Sequence, residues 1–205
     1  MMNLRSFIWI SSTVVTAAAM GSACFADGPA LVTIDRLQAA HRAETNAEQR
    51  YLAFAAKADD EGYKQAANLF RAVARAEQIM YTYHFDAMKD LGGIPEDVVA
   101  EQPTVASTKE NLEKSSNKTA ADQLDADFTG YVKTARAEGN RQAAKVMEYA
   151  RTVEAQNVRL FAAAAKNLEQ MRGTPKGYFI CGVSGFVSPT LDGASCPGSD
   201  WEKVK

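Results

Sequence analysis

Two stretches of this chain repeat one another, and both have a helical pattern. Residues 58–77 read ADDEGYKQAANLFRAVARAE, and residues 135–154 read ARAEGNRQAAKVMEYARTVE. Glu-Gly, Gln-Ala-Ala and a closing Glu coincide at an offset of 77 residues. From Thr33 to Glu61, Leu37, Ala40, Ala43, Ala47, Tyr51, Phe54 and Ala58 recur every three or four positions, the spacing of one helix face. Gly62 interrupts this pattern, and a second helix is expected from about Tyr63 to Leu91, where Gly92-Gly93 and Pro95 stop it. A linker carrying Pro95 and Pro103 follows. Ser107 or Thr108 can cap a third helix reaching about Glu138, and Gly139-Asn140 marks the break to a fourth that ends near Met171. Two helical hairpins of like sequence joined by a long crossover predict an all-α four-helix bundle.

The ends differ from this frame. Residues 1–26 have the pattern of a secretory signal: Arg5, an uncharged apolar run from Phe7 to Met20, and small residues around Ala23 and Ala26. The run is short of the roughly 20 residues that a transmembrane helix needs, so no membrane anchor is expected. Cleavage after Ala26 predicts a periplasmic mature protein. A lipoprotein acylated at Cys24 is the alternative, although Gly21 stands where a large aliphatic residue is usual. Removing the leader takes away Arg5 alone and leaves 22 basic against 25 acidic residues. With no long basic block, nothing points to nucleic acid. The mature chain keeps Cys181 and Cys196, an even pair and a disulfide candidate in an oxidising compartment. Both lie in a glycine- and proline-punctuated tail too small to bury much apolar surface without a staple. The expected layout is a leader at 1–26, a helical bundle at 27–172 and a tail at 173–205.

Several segments resemble the rubrerythrin family. ETNAEQRYLAFAAKADDEGY at 44–63 is similar to its first-helix motif, and LFRAVARAE at 69–77 and LGG at 91–93 also match the family. TKENL at 108–112 resembles the start of its third helix, EYARTVEAQN at 148–157 its fourth, and YFICGVSGF with SCPGSDWEKV its rubredoxin domain. The resemblance implies a ferritin-like bundle followed by a small rubredoxin-like β/loop tail. It also implies a homodimer, and a diiron site that reduces hydrogen peroxide with electrons entering through the rubredoxin iron.

Such a diiron site takes Glu from helices one and three and Glu-x-x-His from helices two and four, because i and i+3 share a helix face. On that pattern Glu44, Glu77 and Glu154 match family glutamates, but the two histidine positions hold Met80 and Asn157. In the third helix, counting back from Glu154 puts the family's glutamates at Ala120 and Gln123, whereas counting forward from Asn111-Leu112 puts them at Thr119 and Asp122. The two counts differ by one residue, which requires an insertion or a helix bulge, and either way a carboxylate is missing. In the tail each knuckle keeps its first cysteine and replaces the second by serine, as Cys181-Gly182-Val183-Ser184 and Cys196-Pro197-Gly198-Ser199. No rubredoxin iron is expected there. Tetrahedral thiolates sit roughly 3.8 Å apart, so a disulfide needs closure by less than roughly 2 Å.

Candidate substitutes for the missing imidazoles are His41, three residues before Glu44, and His84, seven after Glu77. Each is read more simply as a core or boundary histidine. Met80 could serve Cu(I), but packing in the core explains it without other soft ligands. Tyr51 reads as a core aromatic beside the site, and Asp122, Asp125 and Asp127 as a solvated acidic face from which Asp122 could reach the site in one register. The expectation is therefore a non-catalytic or weakly metal-binding scaffold, with no cofactor or a single weakly held divalent metal, iron among the possibilities. The alternatives are a peroxide-reducing oxidoreductase using a residual carboxylate-bound iron, and a redox-active Cys181–Cys196 pair. The pair lacks the C-x-x-C arrangement that lowers a thiol pKa, which favours a structural bridge.

Overall fold

A computed structural model describes residues 30–173, 177–191 and 194–204. The expected leader, residues 1–26, lies outside the described residues. Among the described residues five α-helices occur in order: α1 (Ala30–Asp60), α2 (Lys64–Asp90), α3 (Thr108–Ser115), α4 (Lys118–Ala137) and α5 (Arg141–Lys166). Among the described residues no helix is long and apolar enough to cross a membrane.

The repeat is the pair of hairpin turns. Gly62 and Gly139 both adopt φ near +80°, at 80° and 78°, a left-handed conformation that a Cβ disfavours. At the first turn the Tyr63 amide donates to Ala58 O at 2.8 Å, and at the second the Asn140 amide donates to Ala135 O at 2.8 Å. These are the same helix-closing bonds, used twice. They fold α1 on α2 and α4 on α5, and α2 then packs on α5. Alanines at 66, 72, 76, 143, 144 and 150 line the buried faces and let the helices approach closely. Tyr51, Phe54, Phe70 and Phe161 fill the middle, with ring centroids 5.0–6.2 Å apart.

The expected third helix, continuous to Glu138, is broken into α3 and α4. Ser107 and Glu110 form a capping box that starts α3. Ser116 turns its hydroxyl back to Leu112 O at 2.8 Å, and the Asn117 side chain accepts from the Ala120 amide at 3.0 Å, starting a new helix. The fourth helix also stops earlier than expected, at Lys166, and the chain continues as a 3₁₀ turn over Leu168–Met171.

The tail forms a three-stranded antiparallel sheet of order β2-β1-β3, from β1 (Tyr178–Cys181), β2 (Val187–Ser188) and β3 (Trp201–Val204). It rests on the α2 side of the helices. Arg75 pairs with Glu202 at 3.0 Å, Tyr83 Oη donates to Val183 O at 2.5 Å, and the Val187 amide donates to Gln156 Oε1 at 3.0 Å.

Candidate metal centre

Glu44 on α1, Glu77 on α2 and Glu154 on α5 converge inside the helices, with ligand oxygens all within 4.8 Å of one another. Glu44 and Glu77 are buried, at 2% and 0% exposure, and Glu154 is half-buried. The carboxyls hydrogen-bond in series, Glu44 to Glu77 and Glu77 to Glu154. Such bonds require shared protons. Burial pushes Glu44 up to about 8, against the partly compensating bond from Glu77. Burial and then repulsion from Glu44 drive Glu77 well above the ordinary carboxyl range. Burial and then repulsion from Glu77 do the same to Glu154. Arg50 lowers all three from the side of the site. Its guanidinium lies 5.0 Å from the Tyr51 ring centroid.

Asn157 occupies one expected histidine position and is buried. Its Nδ2 donates to Glu77 Oε1 at 3.2 Å. Met80, at the other, is buried and aimed at the tail: a β-carbon on Gly185 would lie 3.0 Å from Met80 Cε. The two histidines part company. His41 has Nδ1 3.2 Å from Tyr81 O and meets the Tyr81 ring edge-on at 5.3 Å, outside the carboxylate group. His84 is fully buried with Nδ1 3.8 Å from Glu44 Oε1, and neither ring nitrogen has a hydrogen-bond partner. Burial, then the nearby His41, holds it down to about 3, so the ring is neutral. The sequence spacing places His84 on the face of Glu77; its meeting with Glu44 depends on how α1 packs against α2.

The third-helix positions are settled by the break. Thr119, Ala120, Asp122 and Gln123 are all exposed. Asp122 pairs with Lys118 at 2.6 Å, and Gln123 Nε2 donates to Asp127 at 2.9 Å, so Asp122 does not reach the carboxylates in the way one register allowed. The residues of α4 that face Glu44 and Glu154 are Ala120, Ala121, Leu124 and Phe128, across an open cleft of about 570 Å³ that Arg50, Tyr51 and Phe54 also line. Tyr51 is buried, its ring 5.0 Å from that of Phe161, and burial raises its phenol.

In the tail, Cys181 and Cys196 are joined as a disulfide with Cα atoms 5.5 Å apart. The knuckle turns persist around it. The Ser184 amide points at Cys181 Sγ at 3.4 Å, and the Gly185 amide donates to Cys181 O at 2.8 Å. Ser184 and Ser199 offer hydroxyls in place of thiolates.

Comparison with known proteins bears on the family and the fold. The rubrerythrin family model matches residues 35–165. Nigerythrin from Nitratidesulfovibrio vulgaris is 27% identical over 165 residues, covering 80% of each chain. Rubrerythrin-2 from Clostridium acetobutylicum is 27% identical over 169 residues, covering 81% of this chain and 90% of its own. The fully reduced, all-ferrous structure of nigerythrin is 25% identical, with a TM-score of 0.71 over 96% of this chain and 94% of its own. A Desulfovibrio desulfuricans bacterioferritin shares the ferritin-like fold alone, at 19% identity and a TM-score of 0.65, over 72% of this chain and 90% of its own. With the family model spanning well over half of its residues, this chain belongs to the rubrerythrin family.

Proposed function

We propose that this chain is an exported rubrerythrin-family protein that keeps the helical frame and has lost the two-iron peroxide-reducing relay. It serves as a non-catalytic or weakly metal-binding scaffold. The observation that carries this reading is the Asn157 amide donating to Glu77. An –NH₂ aimed at a carboxyl makes a hydrogen-bonded polar core pair, whereas a ligand imidazole would aim a lone pair at a metal. Met80 directed at the tail, and alanines on α4 facing the carboxylates, support it further. The residues present do not fit two irons. At the electron-entry end, a disulfide between the two retained cysteines is incompatible with a four-thiolate iron.

The same reading takes residues 1–26 as the leader of a periplasmic protein. It takes 27–172 as a four-helix bundle with a long crossover, 173–205 as a degenerate rubredoxin-like tail, and the assembly as a homodimer. A second reading, peroxide reduction at a residual carboxylate-bound iron, is favoured by the compact triad. Mature protein supplied with ferrous iron and a chemical reductant tests between them. The scaffold predicts hydrogen-peroxide turnover no faster than that of the same free iron. Turnover that co-purifies with two irons per chain, and is lost in Glu77→Gln, would establish the enzyme instead.

A further inference from the structure

The carboxyls sit at the inner end of a cleft whose walls are mostly apolar. Glu44 and Glu154 line it together with Leu124 and Phe128 of α4, Val158 of α5 and Phe54 of α1. Its volume of about 570 Å³ falls within the roughly 300–1,000 Å³ of small-molecule sites. A second cavity of about 320 Å³, between α4 and α5, shares Ala121, Leu124, Phe128, Glu154 and Val158 with the first. The cleft is open because α4 packs on α5 and scarcely touches α1. An elongated apolar group can therefore lie under α4 with one end at Glu44 and Glu154.

The chemistry of that end selects a head group. Glu44 Oε2 and Glu77 Oε2 are buried without a hydrogen-bond partner among the described residues, and burying unmet polar atoms is costly. At this end three carboxyls face one guanidinium, that of Arg50, so a carboxylate head is disfavoured and an ammonium head is attracted. An ammonium making three N–H···O bonds of about 2.9 Å in tetrahedral directions holds its acceptors about 4.7 Å apart. The triad offers oxygens within 4.8 Å of one another, so one such head reaches all three side chains without moving the helices. An alcohol brings one donor and no charge, and meets fewer of these oxygens.

We propose that the cleft binds a small organic amine: a primary alkylammonium whose –NH₃⁺ donates to Glu44, Glu77 and Glu154 and whose alkyl chain lies under α4 against Leu124, Phe128 and Val158. The inference rests on the scaffold reading and gives the scaffold a ligand. It needs no metal, and it uses the apolar walls that α4 presents where the family pattern calls for carboxylates.

Octylammonium is the probe, titrated by calorimetry into mature protein in the presence of chelator, so that no metal contributes. One equivalent should bind, at least about tenfold more tightly than octanol or octanoate. Along the series butyl-, hexyl- and octylammonium, each added methylene should tighten binding about three- to fourfold. Glu154→Gln should weaken binding at least about tenfold. Ala121→Phe, which fills the wall shared by the two cavities, should flatten the dependence on chain length. If Glu154→Gln fails to fold, the alcohol and carboxylate comparisons on the parent and Ala121→Phe still decide. No octylammonium bound, octanoate bound as tightly as the amine, affinity independent of chain length, or affinity unchanged in both variants would each overturn the inference while leaving the scaffold reading in place. Peroxide turnover with two irons per chain would overturn both.

Discussion

The buried triad makes the metal-free protein sensitive to pH in a direction opposite to that of ordinary paired carboxylates, and Glu44→Gln measures it. Glu44 titrates at about 8 in the folded chain against an ordinary 4.5. A raised acid binds its proton more tightly when folded, so its stabilisation is complete below pH 4.5 and is lost as pH rises through 8. Each pH unit in that window is worth about 1.4 kcal/mol per proton, so Glu44 alone removes about 3 kcal/mol between pH 4.5 and pH 7. It removes on the order of 5 kcal/mol by pH 8. Glutamine keeps the shape and the hydrogen-bonding capacity and cannot ionise. Without metal, the variant should gain about 3 kcal/mol on the parent between pH 4.5 and pH 7, a relative rise in melting temperature of roughly 6–12 °C for a chain of this size. Urea melts in chelator across that range are the assay. Saturating Mn²⁺ should narrow that difference, because a parent that binds the ion gains about 2.7 kcal/mol at 100 times its dissociation constant and a variant short of one carboxylate gains less. A parent whose metal-free stability is flat or increasing from pH 4.5 to 8, or a variant that follows the parent at every pH, would refute the reasoning.

Three further outcomes are expected. The mature protein should have an intact mass two hydrogens below the reduced value and no thiol open to alkylation. Replacing Cys181 and Cys196 by alanine should cost about 3 kcal/mol for the 15-residue separation they close. Gly185→Ala should cost about 1–2 kcal/mol, because its φ of 74° disfavours a β-carbon that would also press on Met80; a variant as stable as the parent would count against the docked tail. N-terminal sequencing of exported protein should begin near Asp27, and an intact Met1 or an acylated Cys24 would contradict the leader.

The hairpins were legible because their signals are local. Apolar residues at helical spacing mark the buried faces, and the repeated Glu-Gly predicts two turns that close with the same pair of bonds. The three glutamates were legible through family likeness and helix phase. The break at Ser116–Asn117 was visible only as a one-residue disagreement between two ways of counting. Serine and asparagine are tolerated in helices, and nothing local says that Asn117 will cap Ala120 rather than continue the helix. The nearness of His84 to Glu44 was not legible for a different reason. Its approach to Glu44 is made across two helices, and spacing along α2 contains no term for that distance. Asn157 counted only as a loss, since the sequence does not reveal where the amide points.

The changes in the helices and in the tail belong to one seam. Gly185, in the knuckle that follows Cys181, lies over Met80, Val153 and the Ala76 carbonyl. Ala76 and Val153 are the residues immediately before Glu77 and Glu154, so the tail covers the face directly behind the carboxylates on both α2 and α5. A histidine at position 80 facing the tail would present a polar ring to glycine backbone and valine, with a second nitrogen in need of a partner. A methionine thioether fills the same volume without one, and its flexible end accommodates the approach of Gly185. Once an apolar seam holds the tail, the tail needs only a rigid knuckle, and a disulfide supplies that without iron. On the proposed reading, a methionine in place of the imidazole and serines in place of two thiolates are then consistent changes on the two sides of a single interface. Arg75–Glu202, Tyr83–Val183 and Gln156–Val187 fix its edges.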